Sequence, residues 1–206
     1  LGLPLTELPG EPDWLLRQPR PVLAWGQGGS VNADVLVDSE QDLAPVLEQI
    51  QASPLASMTL VQVLRVVESL PVPLGITVES LAYGVLQSGP EYQAWLAARK
   101  EAPQLVRGTQ GEAIVLSRQG DVVSAQLNRP EFRNAISAEM RDALVELLEL
   151  VLLDSSVERL EVSGRGSCFS VGGELREFGL AEDPASAHRI RSLHNPGRLL
   201  AQCADR

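Results

Sequence analysis

The sequence predicts a mixed α/β protein: a mostly helical segment, residues 1–110, precedes strands and helices in residues 111–206. Between residues 43 and 99, apolar side chains recur mainly at the three- and four-residue spacing of helices. From residue 111, two short segments alternate apolar and polar residues, which is the period of half-buried strands. The change of period predicts two domains, with their boundary near residue 110.

The composition limits the classes of partner. The chain has 206 residues, of which 44% are hydrophobic and 21% charged, and its net charge is −10. An acidic chain without a run of basic residues is a poor ligand for nucleic acid, because binding phosphates needs a concentrated basic surface. No apolar run is long enough to cross a bilayer, and the first residues lack the basic region of a signal peptide. We therefore expect a cytoplasmic protein with no nucleic-acid or membrane partner.

The first elements are predicted as follows. Residues 1–20 are rich in proline and follow no period, which predicts an irregular arm. Short strands are predicted at 21–25 and 33–38, and a helix from Leu43. The loop between the two strands contains Gly26, Gly28 and Gly29.

A longer helix is predicted from Leu55 to Leu70. It is apolar almost all round except for a narrow polar stripe, so we expect it to be buried on most of its circumference, as a core element or a subunit contact. That stripe consists of Gln62, Arg65 and Glu68. Prolines end this helix, Thr77 is the predicted N-cap of the next one, and a further helix is predicted in residues 91–100.

In the second part, residues 112–128 alternate around a glycine, which predicts a β-hairpin. Ser137 is the predicted N-cap of a long amphipathic helix, and residues 157–162 form a further strand. A last helix is expected after Asp183, with an interruption at residues 195–197. The repeating unit is therefore strand, strand, helix.

Glycines 172 and 173 follow the third strand of this part. A strand that ends in a glycine-rich turn and opens into a helix directs backbone N–H groups to one point, where the helix dipole adds positive charge. Without side chains at these positions, a substrate oxygen could reach the amides. Such a donor lowers a transition-state barrier by roughly 3 kcal/mol. A tight turn without a ligand would contain the same glycines, so this pattern alone leaves both interpretations open.

Two longer motifs carry a family resemblance. Residues 127–130 read Leu-Asn-Arg-Pro, and a basic residue followed by Asn-Ala occupies residues 133–135. Residues 169–175 read Phe, Ser, Val, Gly, Gly, Glu, Leu. In this order and spacing, about residues 112–206 resemble the N-terminal portion of the crotonase, or enoyl-CoA hydratase/isomerase, superfamily.

The resemblance implies a partial crotonase-like spiral of strand-strand-helix units that binds an acyl-coenzyme A thioester. It implies that the Gly173 N–H is the first donor of an oxyanion hole, which holds the thioester oxygen as negative charge develops. The expected substrate-binding residues are Arg133, Asn134, Ala135, Ser170, Gly172, Glu174 and Leu175. Apart from coenzyme A as part of the substrate, no cofactor and no metal is expected.

The sequence departs from the family pattern at three places. Glu174 stands where the family more often has Asp, and Val171 is bulkier than the usual residue. The chain ends at Arg206, before the region that carries the second oxyanion-hole glycine and the usual catalytic glutamates. The resemblance therefore implies that residues beyond Arg206 or a second chain complete the active site. It also implies a homo-oligomer, a trimer or a hexamer.

Other interpretations stay open at this point. A noncatalytic acyl-CoA-binding or assembly subunit is one alternative, and a crotonase-type aryl-acetyl-CoA dioxygenase, suggested by the helical extension, is another. Glu174 and Glu177 are three residues apart on one helix face, where acid/base chemistry and dipole compensation are both conceivable. Non-catalytic roles are expected for His188, His194 and Cys168.

Overall fold

The structure, a computed structural model, describes residues 2–11, 13–28, 32–108 and 111–204. Gly29 of the predicted loop and the terminal Arg206 lie outside the described residues. The chain forms two compact units, Leu1–Trp95 and Leu96–Arg206. The predicted division of functional domains near residue 110 stays a prediction.

The first unit contains a three-stranded parallel sheet in the order β1-β2-β3. Its strands are β1 (Gly2–Pro4), β2 (Leu23–Trp25) and β3 (Val35–Val37). The two predicted strands are confirmed. The prediction of an irregular arm is wrong for residues 2–4, which pair with β2. Proline is tolerated there because β1 is an edge strand that needs no donor on its outer side.

Four helices follow in the chain: α1 (Leu43–Ala52), α2 (Pro54–Val67), α3 (Val72–Gln87) and α4 (Pro90–Ala97). The α3 helix begins at Val72, before the predicted cap Thr77, because Pro73 in the first turn lacks only an N–H that would have no helical partner. Thr77 Oγ1 instead donates to the carbonyl of Pro73. Among the described residues, no single helix is long and apolar enough to cross a bilayer. The segments Glu40–Ala52 and Pro54–Val67 have the required length and composition only when they are taken together, and they are bent by 106°.

The prediction that α2 is buried on most of its circumference as a core element is wrong, and its alternative, a subunit contact, stays a prediction. Leu60 and Leu64 are 56% and 55% exposed, whereas Arg65, from the predicted polar stripe, is buried. Arg65 is buried because its guanidinium forms an ion pair with Asp34, in which both side chains are under 10% exposed (7% and 8%). The same guanidinium donates to the carbonyls of Gln18 and Arg20. This buried ion pair therefore determines which side of α2 faces the interior.

The second unit is built on a mixed three-stranded sheet in the order β4-β5-β6. Its strands are β4 (Ile114–Gln119), β5 (Val122–Leu127) and β6 (Arg159–Gly164). β4 and β5 form the predicted antiparallel hairpin, and β6 is parallel to β5. The helix α5 (Ala138–Leu153) connects β5 to β6, and Ser137 Oγ caps it by accepting from the Met140 N–H at 3.2 Å. The predicted mixed α/β class and strand-strand-helix unit are confirmed.

The core of this unit lies between the sheet, α5 and the end of the chain. Its buried residues are Ala113, Ile114, Val123, Ala125, Leu127, Met140, Leu147, Leu148, Val151, Val157 and Cys203. The sheet and α5 are thus fixed to each other by apolar packing, and the loops at the end of β5 and β6 start from a rigid base.

After β6 the structure differs from the prediction. Gly173 is followed by a single 3₁₀ turn, Leu175–Glu177, and not by a helix. Phe178 has extended backbone, and Gly179 has φ of +98°, so the turn cannot continue. The predicted contribution of a helix dipole at Gly173 is therefore wrong. The helices α6 (Pro184–Leu193) and α7 (Pro196–Gln202) follow, capped by Asp183 as predicted and by Asn195 in the predicted interruption.

Arg65→Met is expected to lower the free energy of unfolding of the first unit by about 3–5 kcal/mol, because it leaves the Asp34 carboxylate buried without its ion-pair partner. Urea unfolding followed by tryptophan fluorescence measures this, since all 3 tryptophans lie in residues 1–95. Arg17→Met is the matched control: its ion pair with Glu11 is exposed (57% and 71%), so the change should stay below about 1 kcal/mol. An equal decrease in the free energy of unfolding in the two variants would contradict the role assigned to the buried Arg65–Asp34 ion pair.

Asp154, at the end of α5, provides a pH-dependent contribution to stability. Hydrogen bonds from Ser156 and from Arg118 lower the pKa of its carboxyl to about 2. Because the folded-state pKa is lowered, the contribution is complete above the unfolded pKa of about 3.9 and is lost as the pH falls toward the folded pKa.

Ser156→Ala should therefore raise the Asp154 pKa toward its ordinary value. The free energy of unfolding should then change less with pH between the folded-state and the unfolded-state pKa. A carbon-detected NMR titration of the carboxyl group gives the pKa directly. Ser155→Ala is the control, because Ser155 is exposed and makes no hydrogen bond to Asp154. An unchanged Asp154 pKa in Ser156→Ala would refute the role of this hydroxyl.

Candidate functional site

The loop that follows β6 folds back directly over the end of that strand. A Cβ atom at Gly164 would lie 2.5 Å from the carbonyl oxygen of Phe169 and 2.7 Å from that of Cys168. Such distances exclude any side chain, so glycine is required here by the close approach of two backbone segments. At position 172 glycine is favoured for a different reason, because its φ is +85°. The glycines therefore shape a loop that returns to the strand end.

Gly173 is held by a parallel β-bridge to Ile136. The N–H of Ile136 donates to the Gly172 carbonyl at 2.8 Å, and the Glu174 N–H donates to the Ile136 carbonyl at 3.1 Å. In such a bridge both flanking peptides face the partner, so the N–H of the central residue points the other way. No described residue accepts a hydrogen bond from the Gly173 N–H, and Gly173 is exposed.

The neighbouring amides are all occupied. The Val171 N–H donates to the Arg133 carbonyl at 3.2 Å, and the Gly172 N–H donates to Ser170 Oγ at 3.1 Å. From the sequence pattern alone, a substrate oxygen could reach the amides of both glycines, or the turn could hold no ligand. The structure restricts the free donor to Gly173, because the serine hydroxyl takes the other.

A cleft of about 600 Å³ adjoins Gly173. It is lined by Glu131, Phe132, Arg133, Ala135, Val171, Gly173, Glu174, Leu175, Arg176 and Phe178. Of the residues expected to contact substrate, Arg133, Ala135, Glu174 and Leu175 line this cleft together with Gly173. Asn134, Ser170 and Gly172 do not, and the Asn134 side chain is fully buried.

Five cleft residues were not among the expected site residues: Glu131, Phe132, Val171, Arg176 and Phe178. Val171 belongs to the second motif. Glu131 and Phe132 lie inside the first motif, which was the available signal for them. Nothing in the sequence indicated Arg176 and Phe178 as cleft residues, because the helix predicted after Gly173 would have directed their side chains differently. The 3₁₀ turn places the Arg176 guanidinium 4.7 Å from the centre of the Phe132 ring, where a cation is attracted to the π face.

Two carboxylates near the cleft, those of Glu174 and Glu177, are committed to structural hydrogen bonds. Glu174 is buried and accepts hydrogen bonds from the N–H, Nε and Nη2 of Arg176, which lower its pKa. Glu177 accepts from the N–H of Val106 at 2.9 Å and from that of Ala138 at 2.7 Å. The conceivable acid/base pair of Glu174 and Glu177 therefore has its oxygens occupied. Glu131 is exposed and has no hydrogen bond or ion pair to a described residue.

The other titratable candidates lie outside the lining of the cleft. The Cys168 thiol is half-buried and lies 3.6 Å from the carbonyl oxygen of Arg133. His188 lies on α6 and His194 at its end. Within the described ranges, no group of three His, Cys, Asp or Glu residues is placed to hold a metal ion.

A larger cleft of about 890 Å³ lies between β4 and α5. Its ionisable groups are already paired where they are most buried: Arg129 forms an ion pair with Glu139, and Glu177 binds backbone amides. Size alone does not indicate chemistry, whereas an unpaired backbone donor does. We therefore place the candidate site at the cleft around Gly173.

Comparison with known proteins supports a relationship over part of the chain. No protein-family model matches the chain. Over 82 residues it is 40% identical to the mitochondrial Δ(3,5)-Δ(2,4)-dienoyl-CoA isomerase of Mus musculus, covering 39% of this chain and 25% of the relative. Over 65 residues it is 34% identical to the 2,3-dehydroadipyl-CoA hydratase of Escherichia coli, covering 32% of this chain and 26% of the relative.

Among solved structures, an enoyl-CoA hydratase/isomerase from Pseudoalteromonas atlantica has a TM-score of 0.37 and 27% identity, covering 45% of this chain and 35% of that one. The chain thus spans only about a quarter of the length of the curated relatives it matches. These relatives belong to one superfamily, the one that the two motifs predict. Over that part of its length, the chain is related to the enoyl-CoA hydratases and isomerases of the crotonase superfamily.

Proposed function

We propose that the Gly173 N–H binds the carbonyl oxygen of an acyl-coenzyme A thioester and that the chain is part of an enzyme of the enoyl-CoA hydratase/isomerase type. The observation that carries this proposal is the exposed Gly173 N–H, which has no acceptor among the described residues. The names of the relatives support the ligand class, since the isomerase and the hydratase both act on acyl-CoA thioesters.

The chemistry follows from the position of this donor. When a proton is removed beside the thioester, or when water adds to the conjugated double bond, negative charge moves onto the carbonyl oxygen. A fixed N–H stabilises that charge without reorganising, and one such donor typically contributes 10²–10³ to kcat. The Ile136 bridge fixes the donor in advance, so no reorganisation of the loop is needed as the charge develops.

The rest of the site is assigned to groups outside the described residues. The oxygens of Glu174 and Glu177 already accept hydrogen bonds, so neither is free to transfer a proton. We assign the second oxyanion-hole donor and the acid and base to residues beyond Arg206 or to another chain. The same proposal includes a homo-oligomer, a trimer or a hexamer, or a second chain that supplies the rest of the fold.

The cleft residues are assigned roles in binding. Arg133, Ala135, Glu174 and Leu175 line the cleft and are proposed to contact the thioester or the coenzyme A arm. In this proposal the Arg133 guanidinium is available to a ligand phosphate, because it is exposed and forms no ion pair with a described residue.

A noncatalytic acyl-CoA-binding or assembly role is the second candidate. It is favoured by one observation: both carboxylates that follow the free donor in sequence are used to hold the loop. In this case the complete assembly would bind acyl-CoA but not convert it. Turnover therefore separates the two candidates, and binding alone does not.

Gly173→Pro removes the free N–H, whereas Gly173→Ala keeps it and adds a Cβ that lies 3.6 Å from Phe178, an ordinary contact. In the complete assembly, Gly173→Pro should lower kcat for crotonyl-CoA hydration by about 10²-fold or more. Gly173→Ala should retain most of the activity. The rate of loss of the enoyl-thioester absorbance measures both variants.

Binding of acetoacetyl-CoA and of free coenzyme A by calorimetry provides the control. Gly173→Pro should weaken the binding of acetoacetyl-CoA. It should leave the binding of free coenzyme A unchanged, because free coenzyme A has no acyl oxygen. Equal activity in the proline and alanine variants, with both folded by circular dichroism, would rule out Gly173 as a donor. Thioester binding that depends on the N–H, without turnover in the wild-type assembly, would select the noncatalytic role.

A further inference from the structure

Asn134 is a fully buried polar residue that makes three hydrogen bonds through its side chain. Its Oδ1 accepts from the Arg129 N–H at 2.9 Å. Its Nδ2 donates to the carbonyls of Arg165 at 3.0 Å and Cys168 at 3.1 Å. Both amide hydrogens are therefore used, and with 0% exposure the side chain cannot contact a ligand.

The main chain of Asn134 is constrained as well. Its N–H donates to the Arg129 carbonyl at 2.8 Å, and its φ is +52°, a left-handed conformation that asparagine adopts more readily than most residues. Its carbonyl oxygen accepts from Ser170 Oγ at 2.7 Å. Asn134 thus joins the loop after β5 to three positions of the loop after β6.

The Ser170 hydroxyl transmits this constraint to the glycines. A hydroxyl has one hydrogen, and here it is directed at the Asn134 carbonyl, so a lone pair of Oγ faces the Gly172 N–H at 3.1 Å. On its other side, the Gly172 carbonyl accepts from Ile136 at 2.8 Å. Gly172 is therefore held through both of its polar groups.

The direction of the free donor follows from peptide geometry. The carbonyl of Gly172 and the N–H of Gly173 belong to one planar trans peptide and point in opposite directions. Fixing that carbonyl toward Ile136 points the Gly173 N–H away from it, into the exposed side of the loop. The Ser170 bond also removes the Gly172 N–H as a competing donor.

We propose that Asn134 is a positioning residue for the Gly173 donor and that it acts through Ser170 without touching a ligand. The role assigned to the ligand rests on the proposed function, whereas the positioning itself is a property of the free protein. Other side chains fit this position poorly. Aspartate would direct carboxylate oxygens at the carbonyls of Arg165 and Cys168, and alanine would leave both carbonyls unpaired.

The test uses the full chain labelled with [¹⁵N]glycine, which gives one amide signal for each of its 17 glycines. Asn134→Gly tolerates the positive φ and removes only the side chain, and Ser170→Ala removes the hydroxyl. Both variants should shift the Gly172 and Gly173 signals, and hydrogen exchange of the Gly172 amide should become about tenfold faster as its acceptor is lost or displaced.

Two controls separate positioning from general stability. Ser170→Thr keeps a hydroxyl, so hydrogen exchange of the Gly172 amide should stay as slow as in the wild type, in contrast to Ser170→Ala. Asn195→Gly removes a side-chain amide that caps α7 in the same unit, and it should leave the Gly172 and Gly173 signals in place. Unchanged Gly172 and Gly173 signals in a folded Asn134→Gly variant would overturn the proposal. If that variant does not fold, unchanged signals in Ser170→Ala would overturn it equally.

Titration with acetoacetyl-CoA then tests the link to the ligand. In the wild type the Gly173 signal should shift, and in Asn134→Gly the affinity should fall about tenfold or more, while binding of free coenzyme A stays the same. A Gly173 signal that does not respond in the wild type would refute the proposed function, but the spectra of the free variants would still decide the positioning role. An unchanged thioester affinity in Asn134→Gly would refute its relevance to binding.

Discussion

The pairing of Ile136 with Gly173 is the contact on which the candidate site depends. Two hydrogen bonds, one on each side of Gly173, bring the loop after β5 against the loop after β6. The two sequence motifs meet at this bridge although their residues Asn134 and Ser170 are 36 positions apart. A donor held in this way is ready before a ligand arrives, so orienting it requires no further ordering at the moment of binding.

The bridge is supported by charged groups that are buried or half-buried around it. Arg129 is 2% exposed, and its guanidinium binds the Glu139 carboxylate and nearby carbonyls. Hydrogen bonding to Arg129 lowers the pKa of Glu139, which therefore stays ionised at the start of α5. Glu177 ties the turn after Gly173 to the N-terminus of α5. The Glu139 and Glu177 carboxylates are therefore held in structural contacts.

Sequence reasoning succeeded where a local rule decided the outcome. The alternating period predicted the β4–β5 hairpin, and the serine before an apolar stripe predicted the start of α5. It failed where tertiary contacts overrode the pattern. Arg65 reads as part of a solvent-facing stripe, but its ion pair with Asp34 buries it. The segment after Gly173 reads as a helix, but a glycine of positive φ ends it after one 3₁₀ turn.

The candidate site was predictable in its centre and not in its surroundings. The second motif contains Gly173, whose N–H has no acceptor among the described residues. The glycine pattern itself does not distinguish this amide from the occupied amide of Gly172, since the Ser170 hydrogen bond exists only after folding. Likewise, Asn134 was expected near the ligand, whereas its amide is enclosed by the backbone it organises.

The central claim is that the Gly173 N–H receives a thioester oxygen, and a crystal structure of the complete assembly with bound acetoacetyl-CoA tests it most directly. We expect the thioester oxygen to lie about 2.7–3.1 Å from the Gly173 nitrogen, with the Ile136 bridge intact. A bound thioester whose oxygen lies elsewhere, with the Gly173 N–H donating to a protein acceptor, would contradict the account.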